Sequence, residues 1–107
     1  MKKFIHKINK TFENRVRLSI MALLMIHEEL SFNQLKEWLE VSDGNLASHI
    51  QALEKAEYLI VLKQFIDKKP NTSYKVTKKG KKEFKEHIDA IEQLIKDIWY
   101  QYDEYLG

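Results

Sequence analysis

The segment from Gly44 to Leu53 contains several hydrogen-bonding side chains and no charged residue. These side chains belong to Asn45, Ser48, His49 and Gln51. If the segment is a helix, their amide, hydroxyl and imidazole groups come together on its outer side, where they could bond to base edges in a major groove. A solvent-exposed face that lacks charge by chance is the alternative interpretation. The segment therefore suggests direct reading of a nucleic acid sequence.

Other chemistry has weaker signals in this sequence. The 107 residues include no cysteine, which excludes disulfide bonds, thiolate zinc sites and cysteine nucleophiles and favours a cytoplasmic location. The four histidines form no catalytic constellation, and there is no glycine-rich phosphate loop. Glu83 and His87 lie four residues apart and could contribute to a metal site, but a solvated acidic face is the favoured interpretation. We therefore predict no catalytic residue, no metal, no cofactor and no enzymatic activity.

Periodic apolar residues predict three helices that would position the uncharged segment. The first covers residues 13–29 and is apolar on both sides, as is typical of a central helix. The second begins after a capping box that starts at Ser31, and the third begins after Ser42. The inward-facing residues of the third helix are Leu46, Ile50 and Leu53. Two short helices joined through a tight turn that contains Val41 form a helix-turn-helix.

A β-hairpin is predicted after the third helix. Tyr58–Asp67 is rich in branched and aromatic residues, and Ser73–Thr77 alternates apolar and polar residues, as is typical of strands. The chain must reverse between them, and Pro70 is expected at the hairpin tip because it cannot donate to a strand ladder. Thr77 is expected to cap a long final helix.

Charge is segregated along the chain, although the formal net charge is only +2. Residues 1–17 and 55–82 carry formal charges of +5 and +7, whereas residues 18–54 and 83–107 carry −5 each. A basic hairpin between acidic segments suggests a surface that faces a polyanion. The alternative is a solvated, lysine-rich loop.

The motifs of residues 44–84 resemble those of a known group of proteins. GNLASHIQALEKAEYLIVLKQFIDKKPNTSYKVTKKGKKEF contains an NLxxHIxxLE helix, a KPxTxY hairpin and a VTxxGxxxF helix start. It is similar to compact winged-helix DNA-binding transcriptional regulators related to the MarR and ArsR families, over roughly residues 13–90. The resemblance implies homodimers on palindromic double-stranded DNA, with the third helix in the major groove and the lysine-rich wing along the backbone or minor groove.

Carried onto this chain, the resemblance implies a set of DNA-contacting residues. The candidates on the recognition helix are Ser42, Asn45, Ser48, His49 and Gln51. The candidates on the wing are Lys63, Lys68, Lys69, Asn71 and Thr72. Relatives often have glycine where this chain has Glu57, because glycine readily forms a left-handed cap after a helix. Glu57 must adopt that geometry at a cost, or the helix ends differently.

The last helix contains an apolar heptad pattern, in which Phe84 is followed by apolar or aromatic residues at alternating intervals of four and three up to Tyr105. A small core cannot cover all of it, so we expect a partner chain to do so. A helix folded back on its own domain is the alternative. The expected interface residues, which include an amphipathic N-terminal helix, are Phe4, Ile5, Ile8, Ile88, Ile91, Ile95, Ile98, Trp99, Tyr102 and Tyr105. A two-fold dimer would place two recognition helices about 34 Å apart.

We interpret residues 1–107 as one mainly α domain of the α+β class, a winged helix-turn-helix with a small β-hairpin. The expected parts are an N-terminal helical arm (1–12), the helix-turn-helix and wing (13–76) and a C-terminal dimerisation helix (77–107). The expected function is sequence-specific regulation of transcription, as a repressor. A winged-helix protein-interaction module and a metal-responsive repressor are the alternatives. The apolar run at residues 18–26 is too short to span a bilayer, so no membrane contact is expected, and the sequence identifies no effector.

Overall fold

The computed structural model describes the backbone of residues 5–106 and the side chains of residues 5–104. The helices are α1 (Arg15–Ile26), α2 (Phe32–Leu39), α3 (Asp43–Lys55) and α4 (Lys78–Leu106), preceded by a 3-10 helix at Lys10–Phe12. The strands are β1 (Leu30–Ser31), β2 (Leu59–Ile66) and β3 (Lys69–Val76), and they form an antiparallel sheet in the order β1-β3-β2. The predicted fold class, a winged helix-turn-helix with a small hairpin and a long last helix, is confirmed.

Side chains cap the helices where the sequence predicted. The Ser31 hydroxyl accepts a hydrogen bond from the backbone N–H of Gln34 at 3.1 Å, and the Gln34 side chain accepts from the N–H of Ser31 at 2.9 Å. Ser42 caps α3 by accepting from the N–H of Asn45 at 3.1 Å. Thr77 caps α4 in the same way. Each cap stabilises its helix start by about 1 kcal/mol.

One hydrophobic core joins α1, α2, α3, the sheet and the start of α4. The inward residues predicted for α3 are all buried, and Ile20, Met21 and Leu24 of α1 are buried with them. Phe12 is only 1% exposed, and its ring centre lies 5.1 Å from that of Tyr58 and 5.2 Å from that of Phe84. The 3-10 helix therefore belongs to the core and connects the start of the chain to α4.

The segment before α1 differs from the predicted amphipathic helix. The chain leaves helical geometry after Ile5 and turns at residues 6–8. Asn9 is extended, its N–H donates to His87 Nδ1 at 2.9 Å and its side chain donates to the Tyr58 hydroxyl at 2.8 Å. These distant partners hold an extended residue where a helix would have continued, so this prediction is wrong for the described residues. Phe4 lies outside them.

The tip of the β2–β3 hairpin is formed by Asp67 and Lys68, and the prediction that Pro70 lies there is wrong. Both tip residues have positive φ, 51° and 66°, which gives a two-residue type I′ turn. Pro70 lies within β3, directly opposite Phe65. This pair is one step beyond the hydrogen-bonded pair that closes the loop, so it is a non-hydrogen-bonded pair. The proline nitrogen faces away from β2, toward an edge that the two-residue β1 does not reach.

The turn between α3 and β2 explains how a glutamate replaces the expected glycine. Glu57 adopts the left-handed conformation, with φ of 65°. Its N–H donates to the carbonyl of Glu54 at 2.8 Å, and the N–H of Tyr58 donates to the carbonyl of Leu53 at 2.9 Å. This pattern is a Schellman motif, in which a left-handed residue satisfies the last helix carbonyls. Helix α3 therefore ends as it would with glycine, and Glu57 bears the conformational cost.

The two halves of helix α4 differ in how far their side chains are buried. Its first half packs on the core through Phe84, His87 and Ala90, which are all buried. Beyond Ala90, none of the α4 side chains that the structure describes is buried. The molecule is accordingly elongated, with extents of 64 × 25 × 22 Å. Within residues 5–106, no helix is long and apolar enough to cross a membrane.

Candidate nucleic-acid interface

Helix α3 directs its uncharged side chains away from the core. The buried face of the helix fixes this orientation, since three- and four-residue steps keep buried side chains on one side. Asn45, Ser48 and Gln51 are all exposed. Gly44 lies on the same side of the helix, and a methyl group added there would have nothing within 4 Å. Three of the predicted base-reading residues therefore share an open surface with a small residue at its start.

Ser42 stands at the N-terminal end of this surface. Its hydroxyl oxygen accepts the capping hydrogen bond from Asn45, so its O–H remains able to donate to a ligand. Asp43 in the first turn of α3 forms an ion pair with Lys36 of α2 at 2.7 Å. Both side chains are largely exposed, so this pair contributes little to stability. The pair holds the Asp43 carboxylate, which would repel a phosphate, against the Lys36 ammonium on the expected DNA side.

His49 lies at the edge of the α3 surface, partly buried, rather than in the middle of its outward face. Its Nδ1 accepts a hydrogen bond from Nη1 of Arg17 in α1 at 3.0 Å. Arginine can only donate, so the imidazole proton of His49 resides on Nε2, from which the side chain can donate. Arg17 also donates from Nε to the carbonyl of Thr11 at 2.6 Å. The Arg17 guanidinium thus joins α3 to the 3-10 helix.

The protonation state of His49 follows from this contact. Burial lowers the pKa of His49 below its ordinary value of 6.5, and the Arg17 guanidinium lowers the pKa further. Both effects favour the neutral imidazole, which is the form that can accept from Arg17. At neutral pH, His49 is therefore uncharged and carries an N–H donor on Nε2 rather than a positive charge.

A polar groove of about 670 Å³ runs beside the N-terminal half of α3. Its walls include Asn45 and His49 from α3, and Arg15 at the first turn of α1. Asn14 caps α1 by accepting from two backbone N–H groups, at 2.9 and 3.0 Å. The groove therefore combines exposed hydrogen-bonding groups with an arginine, a combination that suits a phosphate backbone passing next to the bases.

The wing residues gather toward the free end of the β2–β3 hairpin. Lys68 is one of the two tip residues, and Lys69 begins β3. Lys63 of β2 is directly opposite Thr72 of β3. The three lysines are exposed, whereas Asn71 and Thr72 are partly exposed. The hairpin therefore presents a basic end that is separate from the uncharged surface of α3.

Comparison with known proteins agrees with this geometry. A family model described as the winged-helix DNA-binding domain matches residues 16–95. The chain belongs to this winged-helix DNA-binding family. Uncharacterized protein MJ0432 of Methanocaldococcus jannaschii is 42% identical over 89 residues, which cover 83% of this chain and 97% of that protein. The resemblance stated from the sequence is therefore confirmed.

Solved structures with the same winged-helix fold include transcriptional regulators. The transcriptional regulator homologue from Pyrococcus horikoshii OT3 is similar with a TM-score of 0.83 and 28% identity, over 92% of this chain and 98% of that one. MarR from E. coli, in its apo form, matches with a TM-score of 0.61 over 99% of this chain and 90% of its own. At 15% identity, the likeness to MarR concerns the fold alone.

Two functional candidates in this winged-helix domain were missed by reasoning from the sequence. Arg15 and Arg17 fell within a basic N-terminal block, but nothing in the local pattern distinguished them from its lysines. Arg15 lines the groove next to α3, and Arg17 holds His49 across a sequence separation of 32 residues. A contact over that separation leaves no periodic signal, so only the fold could identify it.

The histidine considered for a metal site has a structural role in this winged-helix domain. His87 is 2% exposed, and its Nδ1 accepts from the N–H of Asn9. Burial lowers the pKa of His87 below its ordinary value of 6.5, while the charge of Glu13 opposes that shift. Among residues 5–106, no three histidine or acidic side chains lie close enough together to hold a metal ion.

Proposed function

We propose that this protein is a sequence-specific double-stranded DNA-binding regulator of transcription that acts as a homodimer and has no enzymatic activity. The observation that carries the proposal is the exposed, uncharged surface of α3 formed by Asn45, Ser48 and Gln51. The family assignment supports DNA as the ligand. Side chains of this kind form directional hydrogen bonds with base edges in the major groove, and asparagine and glutamine favour adenine.

The division of labour between α3 and the wing can be tested with two variants. Asn45→Ala should weaken binding to the preferred sequence by roughly 1–3 kcal/mol, with little effect on random DNA, because only a base contact is lost. Lys68→Ala should weaken binding to all sequences alike and reduce the salt slope by about one unit, because a phosphate contact is lost.

Fluorescence anisotropy with DNA selected from a random pool would measure both effects. The Lys68→Ala variant is the matched control for the Asn45→Ala variant, since both residues are exposed and neither is part of the core. If Asn45→Ala bound selected and random DNA in the wild-type ratio, α3 would not be the base-reading element.

The homodimer is supported by the exposed apolar face of α4. Ile88, Ile95 and Ile98 are each more than a third exposed, and Trp99 is 56% exposed. Trp99 packs edge-on against Tyr102 with ring centres 5.8 Å apart. Phe84, which the heptad pattern placed in the same seam, is instead buried in its own domain. The seam proposed for the partner therefore begins at Ile88.

The remaining predicted interface residues differ in exposure. Ile91 is partly exposed, Ile5 is 58% exposed and Ile8 is partly exposed. Phe4 and the side chain of Tyr105 lie outside the described residues. Ion pairs at four-residue spacing, Lys85–Asp89 and Glu92–Lys96, provide a charged surface along other parts of α4. An apolar stripe beside charged ones is the pattern of a helix that pairs with another helix.

The dimer is tested by placing one charge on the seam. Ile95→Asp should shift the protein toward monomers in sedimentation equilibrium, because a carboxylate would be buried between two chains. Gln93→Asp is the matched control, since Gln93 is an exposed residue of the same helix bonded to Asp97 away from the seam. If both variants kept the wild-type mass, α4 would not form the interface.

We further propose repression as the mode of regulation. Two α3 helices held about one helical turn apart would occupy both halves of a palindromic site and exclude other proteins from it. A reporter gene placed downstream of the selected DNA sequence should be expressed less when the protein is present. Higher expression would identify an activator.

A further inference from the structure

The end of the wing is apolar as well as basic. Phe65 is 76% exposed and Ile66 is 52% exposed, and Pro70 is exposed beside them. None of these residues contributes to the core, so folding does not require them. A wing that only neutralised phosphates would need its lysines and nothing apolar. The exposed aromatic ring therefore calls for a ligand with an apolar part.

The hairpin restricts the backbone around Phe65. Phe65 is directly opposite Pro70 in a non-hydrogen-bonded pair, in which side chains approach most closely. The proline ring fixes the φ angle of Pro70. The adjacent turn has only two residues, so the loop has few alternative conformations. Asp67 and Lys68 both hold positive φ without being glycine, at a cost of about 1–2 kcal/mol each. Phe65 and Pro70 thus form a small rigid ridge, called the wing ridge below.

The charges around the wing ridge indicate what it contacts. Lys63 lies two residues before Phe65 on the same face of the hairpin, and Lys68 and Lys69 follow it at the tip. The only acid between residues 58 and 82 is Asp67. An apolar ridge surrounded by lysines matches a surface that is polyanionic at its rim and apolar within. The minor groove of DNA has this arrangement, with phosphates outside and sugars and stacked bases inside.

We propose that the wing ridge is a wedge that enters the DNA minor groove, where Phe65 inserts at a base step and partly unstacks it. This inference rests on the proposed function and adds to it a specificity-determining residue outside α3. Steps that unstack easily, such as TA and CA, would be favoured at the wing position. The wing would then select sequence through the deformability of the DNA, while its lysines bind any sequence.

The experiment uses the full chain and a DNA duplex selected from a random pool by the wild-type protein. An adenine in each flank of the duplex is replaced in turn by 2-aminopurine, whose fluorescence rises when its base step is unstacked. Wild-type protein should raise the fluorescence at one position in each flank. Phe65→Ala should abolish the rise and weaken binding about tenfold, as expected when an aromatic contact to bases is lost. Its salt slope should stay at the wild-type value, because no charge has changed.

Two further variants make the result specific to the wing ridge. Ile66→Ala removes an exposed apolar side chain from the adjacent position, which points to the opposite face of the hairpin, and should keep the fluorescence rise. Phe65→Leu keeps an apolar side chain and should retain part of both the rise and the affinity. Because Phe65 is exposed and outside the core, the melting temperatures of all variants should match that of the wild type.

Three results would overturn the wedge. Wild-type affinity and fluorescence in Phe65→Ala would show that the ridge does not touch DNA, and binding of an acidic protein would then become the explanation for it. If Phe65→Ala bound the duplex more weakly, but wild-type protein raised the fluorescence at no flank position, Phe65 would contact the DNA without unstacking a base step. Both results leave the proposed function intact. Failure of wild-type protein to prefer any DNA in the pool would instead overturn the proposed function together with the wedge.

Discussion

Replacing Glu57 by glycine should stabilise the protein. Glu57 is held in the left-handed conformation by the Schellman motif that ends α3, with φ of 65°. The same residue also anchors α4, since its carbonyl accepts from the Thr77 hydroxyl at 2.7 Å. The conformation is therefore fixed from both sides, and a residue with a β-carbon cannot relax out of it. A left-handed conformation costs such a residue about 1–2 kcal/mol.

The magnitude follows from three contributions. Glycine removes most of the left-handed cost but loses more backbone entropy on folding, by roughly 0.5–1 kcal/mol. The substitution also removes the ion pair between Glu57 and Lys79, which is long at 3.4 Å and exposed, so its contribution is near the lower end of about 0–1 kcal/mol. The expected gain is about 0.5–1 kcal/mol, which corresponds to a rise of about 2–8 °C in melting temperature for a domain of this size.

Thermal and urea unfolding at one fixed protein concentration would measure this gain, since the stability of a dimer depends on concentration. Glu57→Ala is the control, because it removes the carboxylate and the ion pair but keeps the β-carbon. It should be no more stable than the wild type. A glycine variant that is no more stable than the alanine variant would refute the reasoning about backbone strain.

Three more predictions concern single residues. Gly80→Ala should destabilise the protein by about 1–3 kcal/mol in urea unfolding, because the new methyl group would overlap the Tyr58 carbonyl and lie 2.9 Å from Val76. Gly44→Ala should gain about 0.5–1 kcal/mol of stability while weakening operator binding in anisotropy titrations, because its methyl group points into open space on the DNA side. Burial lowers the pKa of His87 below 6.5 in the folded protein. Its neutral form should therefore stabilise the fold fully above pH 6.5, and this contribution should be lost as the pH falls from 6.5 through the pKa of His87 in the folded state. Urea unfolding at about pH 7.5 and about pH 5.5 should show a smaller loss in His87→Gln than in the wild type.

Much of the fold could be predicted because its signals are local. The hydroxyl caps at Ser31, Ser42 and Thr77 act over three residues, and the sequence shows them directly. The buried face of α3 follows from apolar spacing alone. The lysine-tipped hairpin follows from two strand-like segments around a short polar stretch. Each of these features depends on residues that are neighbours in the sequence.

The errors arise where distant contacts override local preference. Asn9 is extended because its partners are Tyr58 and His87, far along the chain. Strand β1 has two residues and exists because it pairs with Tyr74 and Ser73 of β3. The hairpin tip differs from these two cases, because the misleading signal there is local: Asp67–Lys68 lacks the glycine or asparagine that usually marks a type I′ turn, and the nearby Pro70 is itself a typical turn residue.

The candidate site also contains residues whose positions follow from local sequence and residues whose positions depend on distant contacts. The exposed positions of Asn45, Ser48 and Gln51 follow from the helical period, so the sequence predicted their common surface. The position of His49 depends on Arg17, which the fold brings to it from another helix. Phe65 lies in a segment that the sequence predicts to be a strand. Its position opposite Pro70, near the tip of the wing, follows only from the register of the hairpin.

The most direct test of the central claim is the ratio of two dissociation constants at near-physiological salt. One is for DNA selected from a random pool by the wild-type protein, and the other is for a scrambled duplex of the same composition. A sequence-reading α3 predicts a preference of about a thousandfold or more that persists at this salt concentration. Equal, weak binding to both duplexes that disappears as salt is raised would show only attraction between lysines and phosphates, and would contradict the proposed function.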